Sequence, residues 1–212
     1  MIISLCSLKG GPGKTTLSLH LAHAIAQESK RVIVIDADPQ ASASDWAAAR
    51  DDAPPFPVVG MARETIHRDL ASVVMDYDHA VIDTPPRVSA LARSAILASD
   101  LVLIPVQPSS YDVWAAEETV KLISEAQQFR PELTAAFVVN RKIPKSVIGS
   151  DVSEALQDYP FKLLPSAIAQ RVAFAESSAG YTVLEDAPNS TAAKEVRALA
   201  NAVLDFVGAE KW

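Results

Sequence analysis

Cysteine and long apolar runs are both scarce in this chain. Its 212 residues include one cysteine, Cys6, and no apolar run approaches the roughly 20 residues of a membrane-spanning helix. One cysteine excludes a disulfide framework within the chain, and its place in an apolar first strand predicts a small buried hydrophobic residue. Because the N-terminus enters that strand within two residues, we expect no signal peptide and a cytoplasmic protein.

Aromatic residues and positive charge are also in short supply. Aromatic side chains make up 6% of the sequence, and 26 acidic residues outnumber 19 basic ones, which gives a net charge of −7. A hydrophobic content of 49% with 21% charged residues excludes disordered and fibrous proteins. Neither an internal repeat nor a long linker divides the chain, so we predict a single domain over residues 1–212.

Glycine is rare as well, yet three of the seven glycines lie close together, at positions 10, 11 and 13. The run 8–16 follows an apolar strand and precedes apolar residues at helical spacing. Such glycines let backbone N–H groups converge on a phosphate, and a helix N-terminus adds partial positive charge. In a phosphate-binding loop (P-loop) of this kind, Lys14 would neutralise the terminal phosphates and the Thr15 hydroxyl would bind Mg²⁺. A glycine-rich turn with solvated lysines is the alternative.

Strand-like and helix-like segments alternate along the rest of the chain. Apolar, β-branched runs predict strands at 31–36, 58–59, 79–83, 101–106, 135–140 and 161–164. Helical spacing predicts helices at 42–50, 65–75, 88–98, 111–129, 146–157 and 191–207, with Ser109 or Ser110 as a helix N-cap. This order predicts an α/β fold, a P-loop NTPase with a mostly parallel, twisted β-sheet flanked by α-helices on both faces.

Carboxylates follow two of the predicted strands. Asp36 and Asp38 end the second strand, and Asp83 ends the apolar run 80–83 ahead of two prolines. Carboxylates beside a P-loop can hold the water shell of Mg²⁺ and orient an attacking water. The alternative makes Asp38 a helix N-cap, Asp36 a satisfied strand-end carboxylate and Asp83 the start of an ordinary turn.

Several of these segments together resemble the ParA/MinD family of P-loop ATPases. The segments are Lys9-Gly10-Gly11-Pro12-Gly13-Lys14-Thr15-Thr16, Asp36-Ala37-Asp38-Pro39-Gln40, Asp83-Thr84-Pro85-Pro86, Asn140-Arg141 and Gln170-Arg171. The first segment departs from the common P-loop in two ways. Leu8 stands directly before it, where glycine is usual, and the segment carries a second lysine, as the deviant Walker A motif of that family does. The first three segments are specific in combination, whereas an Asn-Arg pair is also typical of a turn.

The resemblance implies ATP and Mg²⁺ as cofactors and a role for each site residue. The implied nucleotide-binding residues are Lys9, Gly10, Gly11, Pro12, Gly13, Lys14, Thr15, Thr16, Asn140 and Arg141. The implied metal-binding residues are Thr15, Asp36 and Asp83, and the implied catalytic residues are Lys9, Lys14 and Asp38. By this resemblance, Lys9 would reach the phosphates of the partner subunit in an ATP-bound homodimer. Asp38 would position the hydrolytic water, and Asn140 would bind the edge of the adenine base.

DNA binding is a further expectation from the resemblance. Members of the family bind nonspecific DNA as ATP-bound dimers through basic residues of the C-terminal part, here Arg171, Lys194 and Arg197. Ordinary solvated basic side chains are the alternative, and the net charge of −7 opposes binding. His20 and His23, three residues apart, could hold a metal, but the absence of nearby cysteines or further histidines favours packed or solvated histidines.

Three functions remain open at this stage. The first is a ParA-like ATPase that positions plasmid, chromosome or protein-cluster cargo, is stimulated by a ParB-like or other small partner, and is nucleoid-associated in its ATP state. The second is a P-loop metabolic synthetase. The third is a MinD-like membrane-cycling ATPase. The tail 204–212 carries two acids against one lysine, so we expect no stable membrane insertion.

Overall fold

A computed structural model describes residues 1–143, 152 and 154–212 of the chain. Within these ranges it contains seven β-strands and eight α-helices. The strands are β1 Ile2–Leu5, β2 Val32–Asp36, β3 Val58–Gly60, β4 His79–Asp83, β5 Leu101–Val106, β6 Thr134–Lys142 and β7 Lys162–Ala169. The helices are α1 Lys14–Gln27, α2 Ser42–Ala48, α3 Ile66–Val73, α4 Ala90–Ala98, α5 Ser110–Gln127, α6 Ala173–Glu176, α7 Val183–Asp186 and α8 Thr191–Val207.

The strands form one sheet in the order β3-β2-β4-β1-β5-β6-β7, and every neighbouring pair is parallel. The loop after β1 therefore lies between the loops after β4 and β5. The register pairs Asp83 with Leu5 on one side and with Asp36 on the other. The carboxylates that end β2 and β4 are thus brought to the same edge of the sheet as the P-loop.

Helices cover both faces of the sheet because successive strand residues point to opposite sides. In β2, Val32 and Val34 pack with α1, α2, α7 and α8, whereas Ile33 and Ile35 pack with α3 and α4. In β5 the even-numbered residues pack with α4 and α5 on that second face. The resulting apolar layers fix the strand ends, and with them the loops that carry the site.

The fold class predicted from the sequence is confirmed, with differences at element ends. Strands β6 and β7 are longer than predicted, and Ser109 caps α5 as expected by accepting a hydrogen bond from the Asp112 amide. The four-residue helices α6 and α7 were missed because they are too short to show a helical period. The helix predicted over 146–157 falls largely outside the described residues.

The C-terminal segment is packed against the domain rather than projecting from it. Helix α8 ends at Val207 and is capped by Gly208, which adopts a left-handed φ of 70° that suits glycine. Trp212 is then buried, with its ring edge-on to His79 at a centroid distance of 5.4 Å. Within the part of the chain that the structure describes, no helix is long and apolar enough to cross a membrane.

Candidate nucleotide-binding site

The P-loop runs from the end of β1 into α1 as predicted. Gly11 and Gly13 have φ values of 91° and 90°, which L side chains rarely adopt. A Cβ added at Gly10 or Gly11 would meet nothing within 4 Å, so open space surrounds this part of the loop. At Gly13 a Cβ would instead clash with the side-chain nitrogen of Asn140. The loop is therefore an open cradle on one side and closely packed on the other.

Lys14, Thr15 and Asp83 converge at the start of α1. The Thr15 hydroxyl donates a 2.6 Å hydrogen bond to Oδ2 of Asp83, and Lys14 is 7% exposed. Burial raises the pKa of Asp83 to about 7, which the Thr15 hydrogen bond opposes and the nearby Asp36 charge reinforces. Burial also lowers the pKa of Lys14, and the attraction of Asp83 opposes that shift. A lysine and a carboxyl group that attract each other are thus both buried beneath the cradle.

Asp36 ends β2, and Asp38 lies in the loop between β2 and α2. Oδ2 of the buried Asp36 accepts hydrogen bonds of 2.8 Å from both the amide and the hydroxyl of Ser44, and its Oδ1 accepts one from the Asp38 amide. Asp36 therefore fixes the path of the loop into α2. Asp38 is only partly buried, and its charge acts on both Lys14 and Asp83. The structure brings all three predicted carboxylates to one site.

Lys9, the second lysine of the motif, is engaged within its own chain. Its Nζ lies 3.0 Å from Oδ2 of Asp112 in the first turn of α5. The Lys9 side chain is 38% exposed, whereas that of Asp112 is 8% exposed. The neighbouring Leu8 amide donates a hydrogen bond to the Thr119 hydroxyl, so α5 also anchors the entry to the P-loop.

Asn140 and Arg141 lie near the end of β6, beside the P-loop. Nδ2 of the buried Asn140 donates to the Pro12 carbonyl at 2.7 Å, and its Oδ1 accepts from the Arg141 amide. Both polar atoms of the amide thus have partners in the protein, and its role towards adenine stays a prediction. A cavity of about 450 Å³ opens next to it, bounded by residues 168–171, Phe174 and Ser178.

The basic residues predicted to bind DNA differ in how they are held. Arg171 forms a bidentate ion pair with Glu195: its Nη2 donates to Oε1 at 2.6 Å and its Nε donates to Oε2 at 3.0 Å. Arg197 donates to the Pro188 carbonyl, and Lys194 is exposed on α8. Two of the three side chains therefore already have partners within the chain.

The histidines of α1 serve the packing of the domain. His20 contacts the Thr16 carbonyl through Nδ1, and its Nε2 accepts a hydrogen bond from the Val183 amide. Burial lowers the pKa of His20 to about 4. His23 contacts the Thr182 hydroxyl. Across the residues that the structure describes, no cluster of three or more His, Cys, Asp or Glu side chains could hold a metal ion.

Sequence reasoning missed three residues of the site. Ser44 holds Asp36, Asp112 holds Lys9, and Arg87 stands in the loop after Asp83 with a φ of 83°. For Arg87 a signal was present, because it follows Pro85-Pro86, and prolines are common ahead of turn positions with positive φ. The other two depend on tertiary contacts, which a linear pattern does not show.

The donor set fits a nucleotide with Mg²⁺. Open space around Gly10 and Gly11 would accept phosphate groups, and Lys14 supplies a buried cation beside them. The Thr15 hydroxyl and the carboxylates of Asp36 and Asp83 are hard oxygen ligands of the kind that Mg²⁺ prefers. The cavity beside Asn140 has room for a base.

Comparison with known proteins identifies relatives of this chain and a solved structure of the same fold. Maintenance of carboxysome distribution protein A of Halothiobacillus neapolitanus is 29% identical over 208 residues, covering 95% of each chain. The chromosome-partitioning ATPase Soj of Thermus thermophilus is 27% identical, covering 95% of this chain and 94% of its own. The solved structure of MinD from Pyrococcus horikoshii, complexed with Mg-ADP, shares the fold with a TM-score of 0.81, 20% identity and coverage of 98% and 97%. A model of the CobQ/CobB/MinD/ParA nucleotide binding domain matches residues 3–182, and the chain belongs to this family.

Proposed function

We propose that this protein is a ParA-like positioning ATPase that binds and hydrolyses ATP with Mg²⁺. One observation carries the proposal: the Thr15 hydroxyl and the Asp83 carboxylate lie 2.6 Å apart beneath an open, glycine-lined cradle that also holds Lys14. The Mg-ADP complex of P. horikoshii MinD supports the choice of ligand for this fold.

In the proposed reaction each site residue has one task. Lys14 and the P-loop amides hold the terminal phosphates and stabilise charge that develops as the γ-phosphate leaves. Thr15, Asp36 and Asp83 would hold Mg²⁺, which would supply additional charge neutralisation when bound. Asp38, which is partly exposed and near Lys14, accepts a hydrogen bond from the attacking water and orients it.

The working form in this proposal is an ATP-bound homodimer. Lys9 would leave Asp112 and reach the phosphates of the partner subunit, so that ATP binding controls association. The dimer would bind nonspecific DNA through Arg171, Lys194 and Arg197, which places it on the nucleoid. Hydrolysis, stimulated by a ParB-like or other small partner, would return the monomer. The cargo would be a plasmid, a chromosome region or a protein cluster.

The two alternative functions have less support. The curated relatives named above act in carboxysome distribution and chromosome partitioning, which favours positioning over a synthetase reaction, although the family also includes CobQ and CobB. The same relatives favour positioning over a MinD-like membrane cycle, and the two acids against one lysine in residues 204–212 do not favour binding to an anionic membrane.

The test compares Mg-ATP binding and phosphate release for the wild type, Lys14→Gln and a control, Lys121→Gln. Lys121 is an exposed lysine paired with Glu117 on α5, so the control makes the same chemical change away from the site. We expect calorimetry to show no ATP binding by Lys14→Gln at concentrations that saturate the other two proteins. Unchanged ATP affinity in Lys14→Gln would refute the proposal. Hydrolysis only with an added acceptor would favour a synthetase, and ATP-dependent co-sedimentation with anionic vesicles would favour a membrane cycle.

A further inference from the structure

Arg87 adopts a backbone conformation that arginine normally avoids. Its φ of 83° is the largest positive value among the non-glycine residues that the structure describes, the others being Ser29, Ala41 and Arg141. The value matches the third position of a type II turn, where glycine is preferred and a proline commonly precedes, as Pro86 does here. Non-glycine residues held in such conformations carry strain and cluster at functional sites. Arginine thus occupies a position where glycine would be less strained.

The loop around Arg87 is tied to the P-loop. The Thr84 hydroxyl donates to the Leu5 carbonyl at 2.8 Å, and the Arg87 amide donates to the Leu8 carbonyl at 3.0 Å. Leu8 directly precedes Lys9, and Asp83 at the start of the loop contacts Thr15. The backbone of Arg87 is therefore fixed at the mouth of the phosphate cradle.

The sheet order separates Arg87 from the cavity proposed for the base. Arg87 follows β4, which pairs with one side of β1, whereas Asn140 lies near the end of β6, two strands away on the other side of β1. A nucleotide with its base beside Asn140 and its phosphates on the P-loop would extend towards Arg87 with its terminal phosphate.

The positive charge of the Arg87 side chain is available to bind an anion. Lys9 is paired with Asp112, and Lys14 is attracted by the charge of Asp83. Arg87 is exposed, and within residues 1–143, 152 and 154–212 no acidic side chain lies within ion-pair distance of it. By contrast, Arg50, Arg93, Arg130 and Arg171 all have carboxylate partners.

We propose that Arg87 contacts the terminal phosphate of bound ATP and so distinguishes ATP from ADP. A guanidinium group suits this task because its planar donors match two phosphate oxygens at once. The strained turn holds the backbone of Arg87 beside the cradle through the Leu8 hydrogen bond, so that the side chain starts from the mouth of the cradle. This inference rests on the proposed function, since it assigns a residue to the same nucleotide site.

The Arg87→Gly variant removes the side chain without destabilising the fold, because glycine relieves the strained φ. We expect Arg87→Gly to melt about 2–4 °C higher than the wild type. Its affinity for a non-hydrolysable ATP analogue should fall about tenfold, the loss of a charge-assisted hydrogen bond, while its ADP affinity stays within about twofold. Arg87→Lys, which keeps the charge without the planar fork, should lie between them.

Ser29→Gly is the matched control. Ser29 also has a positive φ, 60°, but lies just beyond the C-terminal end of α1, away from the P-loop. It should gain stability in the same way and keep both nucleotide affinities. An ATP-analogue affinity of Arg87→Gly within twofold of wild type would overturn the inference, as would equal losses for the analogue and ADP. If the wild type bound neither nucleotide, the proposed function itself would fail.

Discussion

Lys9 Nζ lies 3.0 Å from Asp112 Oδ2, so the lysine that the family resemblance assigns to a partner's phosphates is held by a carboxylate of its own chain. The two residues are 103 positions apart, and the contact forms because the first turn of α5 lies beside the P-loop. In the proposed ATP-bound dimer, Asp112 would compete with a partner's phosphates for the same cation. Dimerisation through Lys9 would therefore have to break this ion pair.

Asp112→Asn should promote ATP-dependent dimerisation. The change removes the charge that holds Lys9 but keeps a side-chain acceptor of the same shape. A partly exposed ion pair contributes up to about 1 kcal/mol, so the ATP concentration at half-dimerisation should fall about two- to fivefold. Light scattering during an ATP titration measures this. Glu117→Gln, which breaks the Lys121 ion pair on the same helix, is the control and should cause no shift. An unchanged midpoint in Asp112→Asn would contradict the competition.

Lys9→Ala should impair dimerisation and turnover more than nucleotide affinity. If Lys9 acts on the partner's phosphates, a diluted monomer does not use it to bind ATP. We expect the ATP affinity of the dilute variant to stay within about twofold of the wild type, whereas turnover at high protein concentration falls at least tenfold. A large loss of affinity at dilution would place Lys9 on the phosphates of its own subunit.

Asp38→Ala should keep ATP binding but slow hydrolysis. Asp38 is partly exposed and lies in the loop after β2, whereas the phosphate cradle is formed by other residues. Loss of water positioning should lower turnover by roughly 10²–10⁴-fold, the usual contribution of a general base. Sedimentation with Mg-ATP should then show a persistent dimer. Wild-type turnover, or a variant that stays monomeric, would refute the role given to Asp38.

The sequence allowed the sheet and the acids at its edge to be predicted because both have local signals. Strands β4 and β5 match their predicted bounds, and Asp36 and Asp83 each follow an uninterrupted apolar run. The partner of Lys9 had to be found in the structure, because that contact depends on packing between segments distant in sequence. The same holds for Asn140, whose contact with Pro12 joins β6 to a loop 128 residues earlier.

His20 should make the fold less stable in acid. Its folded-state pKa is about 4, lowered chiefly by burial, with His23 adding to the shift and the Thr16 hydrogen bond and Glu185 opposing it. The unfolded chain takes up a proton near pH 6.5, so stability is fully present above that pH and is lost as pH falls towards 4.

Urea unfolding at pH 7 and pH 5 tests this dependence. Between those values His20 should account for a loss of about 2 kcal/mol in the free energy of unfolding. His20→Gln should be less stable at pH 7, by about 1–3 kcal/mol, because it loses buried hydrogen bonds. Its deficit relative to the wild type should nearly disappear at pH 5. The pKa of His79 is also lowered to about 4, but His79 is present in both proteins. Its effect on stability therefore cancels when the two are compared. An equal deficit at both pH values would show that His20 is not the titrating group.

DNA binding should depend on Glu195 as well as on the basic residues. Glu195 holds Arg171 through two hydrogen bonds and also accepts one from the Ala169 amide. Glu195→Gln removes the charge that competes with phosphate for Arg171 but keeps an oxygen for the amide. We therefore expect Glu195→Gln to bind unrelated DNA more tightly and Lys194→Ala to bind it less tightly. Both effects should require ATP, since two subunits present twice as many cations as one.

A mobility shift with unrelated DNA at about 50 and about 200 mM salt measures these effects, because several phosphate contacts lose orders of magnitude in affinity over that range. Glu125→Gln is the matched control: it removes one negative charge and frees Arg93 elsewhere on the surface. If Glu125→Gln strengthened binding as much as Glu195→Gln, the gain would reflect net charge alone, which at −7 repels DNA from the whole surface. If the wild type gave no shift at the lower salt with ATP and Mg²⁺, the protein would not be positioned by binding DNA. It would then have to be positioned by binding to a different cellular surface.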